Sequence, residues 1–184
     1  MLAGHTGDID MVLKALEHEL PMVRDVALGA LSRMDKLEIE ILRRFRTDPD
    51  ARVRKRVAEL AATFPDFDLL PLLNDDDPMV AEMAAWSCGE HELNSGDVVD
   101  KLIAMATTHG EPLVREAAVA ALGAIGDERG LTAILSACDD KPAIRRRAIL
   151  ALAPFDGPEV DAALKKGLDD RDWQVRQAAE DLLG

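Results

Sequence analysis

Glu111-Pro-Leu-Val-Arg-Glu-Ala-Ala-Val-Ala-Ala-Leu-Gly-Ala-Ile-Gly126 is the stretch on which the fold turns. Ala, Leu and Val fill it. A Pro stands near its start, where a helix has no use for the missing N–H. The same pattern recurs, loosely, six times, anchored on Val23, Val53, Val80, Val114, Ile144 and Val175, at gaps of 30, 27, 34, 30 and 31 residues. Arg follows the anchor directly at Arg24, Arg54, Arg115, Arg145 and Arg176, with Ala81 the exception. Pro lies two before it at Pro21, Pro78, Pro112 and Pro142.

The downstream columns agree. Four after the anchor come Ala27, Val57, Ala84, Ala118, Ala148 and Ala179, and eight after it Leu31, Ala61, Cys88, Leu122, Leu152 and Leu183. Offsets of 0, 4 and 8 share one helical face, so each copy predicts a helix that buries small and aliphatic side chains. These first-type helices are expected near 21–34, 50–64, 78–91, 112–125, 142–153 and 172–183. Gly89, Gly123 and Gly184, nine after their anchors, read as helix stops. Between them, aliphatics at mostly helical spacing predict a second set over 10–20, 36–46, 67–73, 97–106, 129–138 and 158–168, with Pro71 inside the third. A helical hairpin alone cannot cover its apolar face, and stacked hairpins make a continuous core. The expectation is a single all-α domain over 1–184, a right-handed α-α superhelix (solenoid) of about six hairpins.

Composition points the same way. Hydrophobic residues make up 48% of the 184, aromatics only 3%, and Tyr is absent, which suits close helix packing better than a β-sandwich. The net charge of −13 repels nucleic-acid phosphates and anionic lipid unless the positive charges gather in one place. Residues 2–10 lack the basic start and apolar run of a secretion signal, and no stretch has the length of a membrane span. Two cysteines, Cys88 and Cys138, are too few for a disulfide scaffold, so the expected location is cytoplasmic.

The run Asp-Pro-x-Val-Arg-x-x-Ala-x-x-Ala-Leu-Gly, repeated about every 30 residues, resembles the short HEAT-like repeats of phycobilisome-lyase-type and related bacterial proteins. The resemblance covers nearly the whole chain. It implies an array whose first helices line a convex side and whose second helices line a concave one. It also implies a ladder between repeats, in which the Arg after each anchor meets an Asp of the preceding loop. The residue five before the anchor is Asp48, Asp75, Asp139 or Asp170 in four copies, and His18 or His109 in the other two, where the ladder is expected to be altered. The chain opens on a second-type helix and closes on a first-type one. Gln177, Glu180 and Asp181 are candidates for a polar cap, and self-association through uncapped ends is an open route.

Candidate chemistry is sparse. Cys88, Glu90 and His91 cluster in sequence, but Cys88 and His91 occupy columns that are apolar in other copies, so no metal site is expected. His18-Glu19 and His91-Glu92 invite comparison with deoxyhypusine hydroxylase, a HEAT-like iron enzyme. They fall at different places in their repeats, and Arg115-Glu-Ala-Ala has Arg where His would be needed. No nucleophile elbow, phosphate-cradling Gly-rich loop or zinc-hydrolase helix is present. Asp139-Asp140 and Asp169-Asp170 read as loop and helix-start carboxylates. No catalytic residue, cofactor or metal is therefore expected.

Two surface features stand out. Arg43, Arg44, Arg46, Arg52, Arg54, Lys55 and Arg56 gather against only Asp48 and Asp50. Without interleaved aromatics this is weak ground for the DNA binding of alkylation-repeat glycosylases; the cluster reads as a solvated helix–loop–helix corner with Arg54 in the ladder, or as a docking patch for an acidic protein surface. One such surface is the chain's own tract at Asp66, Asp68, Asp75, Asp76 and Asp77, in a second copy. Trp86, six after its anchor in a column of mixed polarity, reads as partly exposed, either a partly covered packing residue or a partner contact. Trp173 reads as a shield for the preceding loop. Together these predict a protein–protein interaction or scaffold module that is not an enzyme. Arg43, Arg44, Arg46 and Trp86 are its candidate contacts, and its protein partner is not identified by sequence. The alternatives are an enzyme or enzyme accessory of the lyase or hydroxylase kind, then a DNA-binding protein.

Overall fold

The computed structural model describes residues 8–93 and 95–184. Positions 2–7 of the stretch read against a secretion signal lie outside them. Among the described residues there are twelve α-helices, one 3-10 turn at Glu128–Gly130 and no strand. In chain order the first six are α1 (Ile9–Ala15), α2 (Pro21–Arg33), α3 (Ile39–Phe45), α4 (Ala51–Ala61), α5 (Leu70–Leu73) and α6 (Pro78–Glu90). The others are α7 (Gly96–Thr108), α8 (Pro112–Ile125), α9 (Leu131–Ala137), α10 (Pro142–Ala151), α11 (Pro158–Leu168) and α12 (Trp173–Leu183). Even-numbered helices are of the first type, odd-numbered of the second. No helix is long and apolar enough to cross a membrane. The chain divides into two compact units, Met1–Ala84 and Ala85–Gly184, with the boundary inside α6.

In the first unit α2 packs on α4, with α1 against α2 and α3 against α4. Leu28, Leu31, Leu42, Val53, Val57 and Leu72 form its core at 0–1% exposure. Helix α4 stops at Ala61, three residues short of expectation. Pro65 disfavours helical backbone at Phe64, and the Thr63 hydroxyl turns back to the Leu60 carbonyl at 2.9 Å. The segment 67–73 is helical only over its last four residues, and Pro71 sits in that helix's first turn, where no N–H is needed. Phe67 and Leu69 are nonetheless buried, so the segment supplies core without being a full helix.

In the second unit α8 packs against both α7 and α10, α10 against α12, and α9 against α7 and α11. First-type helices make one layer and second-type helices the other. Gly89 and Gly123 are not helix stops; both lie inside their helices. They are contact points. A Cβ built on Gly123 would stand 2.6 Å from Cα and Cβ of Ala151, and one on Gly89 3.1 Å from Cα of Ala121. The stop after α8 is Gly126, left-handed at φ 66°, three residues later. In the last helix the column five after the anchor changes character. It holds Leu28, Ala58, Ala85, Val119 and Ile149, all buried, and then Glu180, which is exposed beside Gln177 and Asp181.

Candidate functional site

Charge pairs between consecutive repeats organise each unit. Arg24 donates Nε and Nη2 to both carboxylate oxygens of Asp48 at 2.8 and 2.7 Å, and Arg54 does the same to Asp75 at 2.6 and 2.8 Å. Arg145 grips Asp170 in the same fork at 2.8 and 2.7 Å. The third nitrogen, Nη1, turns the other way to a carbonyl of the arginine's own preceding loop. Arg24 reaches His18, Arg54 Asp48, Arg115 His109, Arg145 Asp140 and Arg176 Asp170. Each of these guanidiniums except that of Arg176 thus ties its own loop to the next, the bidentate geometry for which Arg is suited.

The position counted as Asp139 is a correction. Arg115 forks onto Asp140 at 2.7 and 2.9 Å, whereas Asp139 points outward to Lys166. The loop before α10 is one residue closer to its anchor, so counting five back lands on the exposed neighbour. The histidines keep half of the aspartate's work. Asp48, Asp75 and Asp170 each accept an N–H two residues on, at 2.9, 2.9 and 2.7 Å. Nδ1 of His18 and of His109 accepts the equivalent N–H of Leu20 and Glu111 at 3.0 and 3.1 Å. An imidazole can close that turn but cannot take a forked guanidinium. Arg176, in the last helix, makes the carbonyl contact without a carboxylate partner among the described residues. The Arg115 and Arg145 guanidiniums hold the carboxyls of Asp140 and Asp170 below the ordinary aspartate range, with loop N–H groups assisting.

Much of the basic corner is paired within the chain, although Arg52 and Lys55 have no ion pair among the described residues. Arg43 pairs with Glu40, Arg44 with Glu17 at 2.6 Å, Arg46 with Asp68 at 3.2 Å and Arg56 with Asp25 at 2.6 Å. Arg54 is the ladder residue already described. Two of the acidic-tract residues offered for pairing between copies, Asp68 and Asp75, are taken within the chain.

Sequence reading missed a second set of charge pairs between neighbouring first-type helices. The residue three after one anchor reaches the residue two after the previous anchor. Arg56 of α4 reaches Asp25 of α2, and Arg147 of α10 lies 3.7 Å from Glu116 of α8. The pattern was visible as an Arg and an acid in neighbouring columns, but in only two copies. Between α10 and α12 both partners are gone. Ala178 stands where the Arg would be and Arg146 where the acid would be. What remains is a cleft of about 150 Å³, lined by Arg146, Leu150, Trp173, Gln174, Gln177 and Asp181 over Ala178. Trp173 stands in a column otherwise mostly Pro. It is 65% exposed and forms the cleft's wall. Trp86 is 44% exposed on α6.

Nucleophiles and metal ligands do not converge. Burial pushes the thiol of Cys88 up to about 12 and that of Cys138 to about 11. Among the described residues no three His, Cys, Asp or Glu side chains gather as a metal would require.

A family model of HEAT repeats matches residues 68–143 and again 131–184. No curated protein matches the chain. An engineered protein of known crystal structure superposes with a TM-score of 0.68 at 20% identity, over 96% of this chain and 95% of that one. A designed armadillo repeat protein in complex with the peptide (KR)4 gives 0.70 at 15% identity, over 96% and 98%. Human deoxyhypusine hydroxylase in complex with glycerol gives 0.53 at 21% identity, over 97% and 73%. At such identities the likeness is one of fold, the all-α repeat solenoid.

Proposed function

The chain belongs to the HEAT-repeat family, and from that premise we propose that it is a protein-interaction module which holds a partner on the face of its second-type helices. The observation that carries this reading is how each unit's charges are used. Arginines and aspartates that would otherwise confer chemistry are consumed in the ladders, leaving stiff stacked hairpins and an extended surface. In the second unit that surface offers small exposed side chains: Ala104, Thr107 and Thr108 of α7, Thr132 and Ser136 of α9, and Ala162 of α11. The designed armadillo neighbour, itself solved with a peptide, supports a polypeptide as the ligand class. Trp86 is retained as a contact of the module. Arg43, Arg44 and Arg46 are not, because Glu40, Glu17 and Asp68 neutralise them. The net charge of −13, with most of the corner's cations paired internally, weighs against a nucleic-acid ligand.

The test is affinity capture from native extract. A partner enriched by the wild-type chain, and lost when Ala104, Thr132 and Ala162 are each replaced by Arg in a chain that still melts cooperatively, supports the reading. Capture unchanged by those replacements would move the partner to another face. Stoichiometric iron or zinc in the purified protein would favour the enzyme instead.

A further inference from the structure

We infer that the cleft between α10 and α12 receives a carboxylate-bearing side chain of a partner segment on Arg146, with an adjacent bulky apolar side chain laid against Trp173. This rests on the module reading and adds a contact between two first-type helices, apart from the second-type face proposed above.

The chain supplies its own template. At the equivalent place between α2 and α4, the Arg56 guanidinium meets the Asp25 carboxylate at 2.6 Å, and between α8 and α10 Arg147 meets Glu116 at 3.7 Å. Each of these grooves is closed by one cation and one anion. In the groove between α4 and the start of α6, the position of the crossing residue is held by Met83, a long side chain that is half-buried. Between α10 and α12 the small residue Ala178 stands there, and the groove opens to about 150 Å³. At its edge Arg146 is exposed and has no ion pair or hydrogen bond among the described residues. The site therefore holds a cation that makes no ion pair, with Asp181 engaged by Gln177 elsewhere in the same lining.

The rest of the cleft defines what accompanies that anion. Leu150 is half-buried and Ala178 is 4% exposed, which gives an apolar floor. Trp173 contributes an indole face, the side chain most often found at interface hot spots. At the far side Gln177 donates Nε2 to Asp181 at 2.9 Å, leaving its amide oxygen and Gln174 to meet a peptide backbone. Asp181 and the net charge of −13 disfavour a ligand of many negative charges. One acidic residue beside a large apolar one fits both constraints.

Fluorescein-labelled short peptides, with Glu and Phe at varied spacing in a neutral background, provide the probe, read by fluorescence anisotropy against the same peptides carrying Gln for Glu. A charge-assisted hydrogen bond predicts that the Glu peptides bind about tenfold tighter than their Gln counterparts. Arg146→Glu should erase that preference and transfer it to peptides with Lys at the same place, while Trp173→Ala weakens all members alike. Both residues are exposed, so the variants should melt like the wild type. Equal binding of Glu and Gln peptides, insensitivity to Arg146→Glu, or silence of the whole panel would overturn the assignment. Partner capture that persists beside a silent panel would leave the module standing and sink only the cleft.

Discussion

Replacing Gly123 by Ala should destabilise the protein, against the usual direction of glycine removal from a helix. Gly123 lies within α8, where Ala is favoured over Gly by about 1 kcal/mol on propensity alone. The new methyl, however, would sit 2.6 Å from Cα and Cβ of Ala151 and 3.0 Å from its carbonyl oxygen, on the backbone of α10. Carbon atoms in contact keep about 3.5–4.0 Å apart, so α8 and α10 must separate by roughly 1 Å. Overpacking of this kind costs about 1–3 kcal/mol, and more where the clashing atom is backbone that cannot rotate away. The net expectation is a loss of up to about 2 kcal/mol, or roughly 2–4 °C in Tm for each kcal/mol. Gly29→Ala is the control. Its methyl would meet only Nη1 of Arg33 at 3.3 Å, the end of a flexible side chain, so the propensity gain should survive and stability rise by up to about 1 kcal/mol. Urea unfolding followed by circular dichroism compares the two. If Gly123→Ala matches or exceeds the wild type, close helix approach is not why glycine stands there.

The ladder gives sharper tests. Asp140→Asn should lower stability by about 1–3 kcal/mol, since it strips the carboxylate from a partly buried Arg115. Asp139→Asn should change it by no more than about 0.5 kcal/mol, because the Lys166 pair is exposed on both sides. A reversed order in chemical denaturation would reject the assignment of Asp140. Asp140 and Asp170 titrate below their unfolded values, chiefly through hydrogen bonds from Arg115 and Arg145. The unfolded chain therefore takes up their protons first on acidification. The ladder's contribution is complete above the unfolded aspartate pKa and is lost as pH falls from there through the folded one. Urea midpoints measured across that acid window should fall less steeply in Arg145→Leu than in wild type, and an unchanged slope would contradict the linkage. Burial holds the thiols of Cys88 and Cys138 near 12 and 11, so a maleimide at neutral pH should label them slowly until urea opens the fold. Prompt labelling of folded Cys88 would show that its helix opens locally.

The fold was legible because each copy repeats the same statement. One apolar column can arise by accident; columns at 0, 4 and 8 that return about every 30 residues leave little but stacked hairpins. What a single sequence hides is the contact that crosses from one copy to the next. Gly123 looks like a stop signal because glycine does end helices, and only the approach of Ala151 reveals the other use. Asp139 looks like the ladder residue by counting, because counting cannot register a loop that is one residue shorter. The arginines from 43 to 56 look like a patch because their carboxylate partners, Glu17, Asp25 and Asp68 among them, lie up to about 30 residues away in sequence.

Those same contacts determine where binding capacity can reside. An ionic side chain already matched within the stack has its desolvation offset and its geometry fixed, and offers little to a ligand. Capacity collects where the matching fails. Four of the five arginines that follow an anchor are matched by a carboxylate of the next repeat, and Arg176 is steadied by the Asp170 carbonyl, which leaves the ladder a structural device. The pairs between neighbouring first-type helices are fewer, and one groove has lost both members, with Ala178 for the cation and Arg146 for the anion. Losing the Arg at Ala178 alone would leave space, and gaining Arg146 alone would leave an exposed charge. Occurring together, and beside a tryptophan in a column where four other copies carry Pro, they make a recess with an apolar wall and an unmatched cation, which no other groove described within either unit combines.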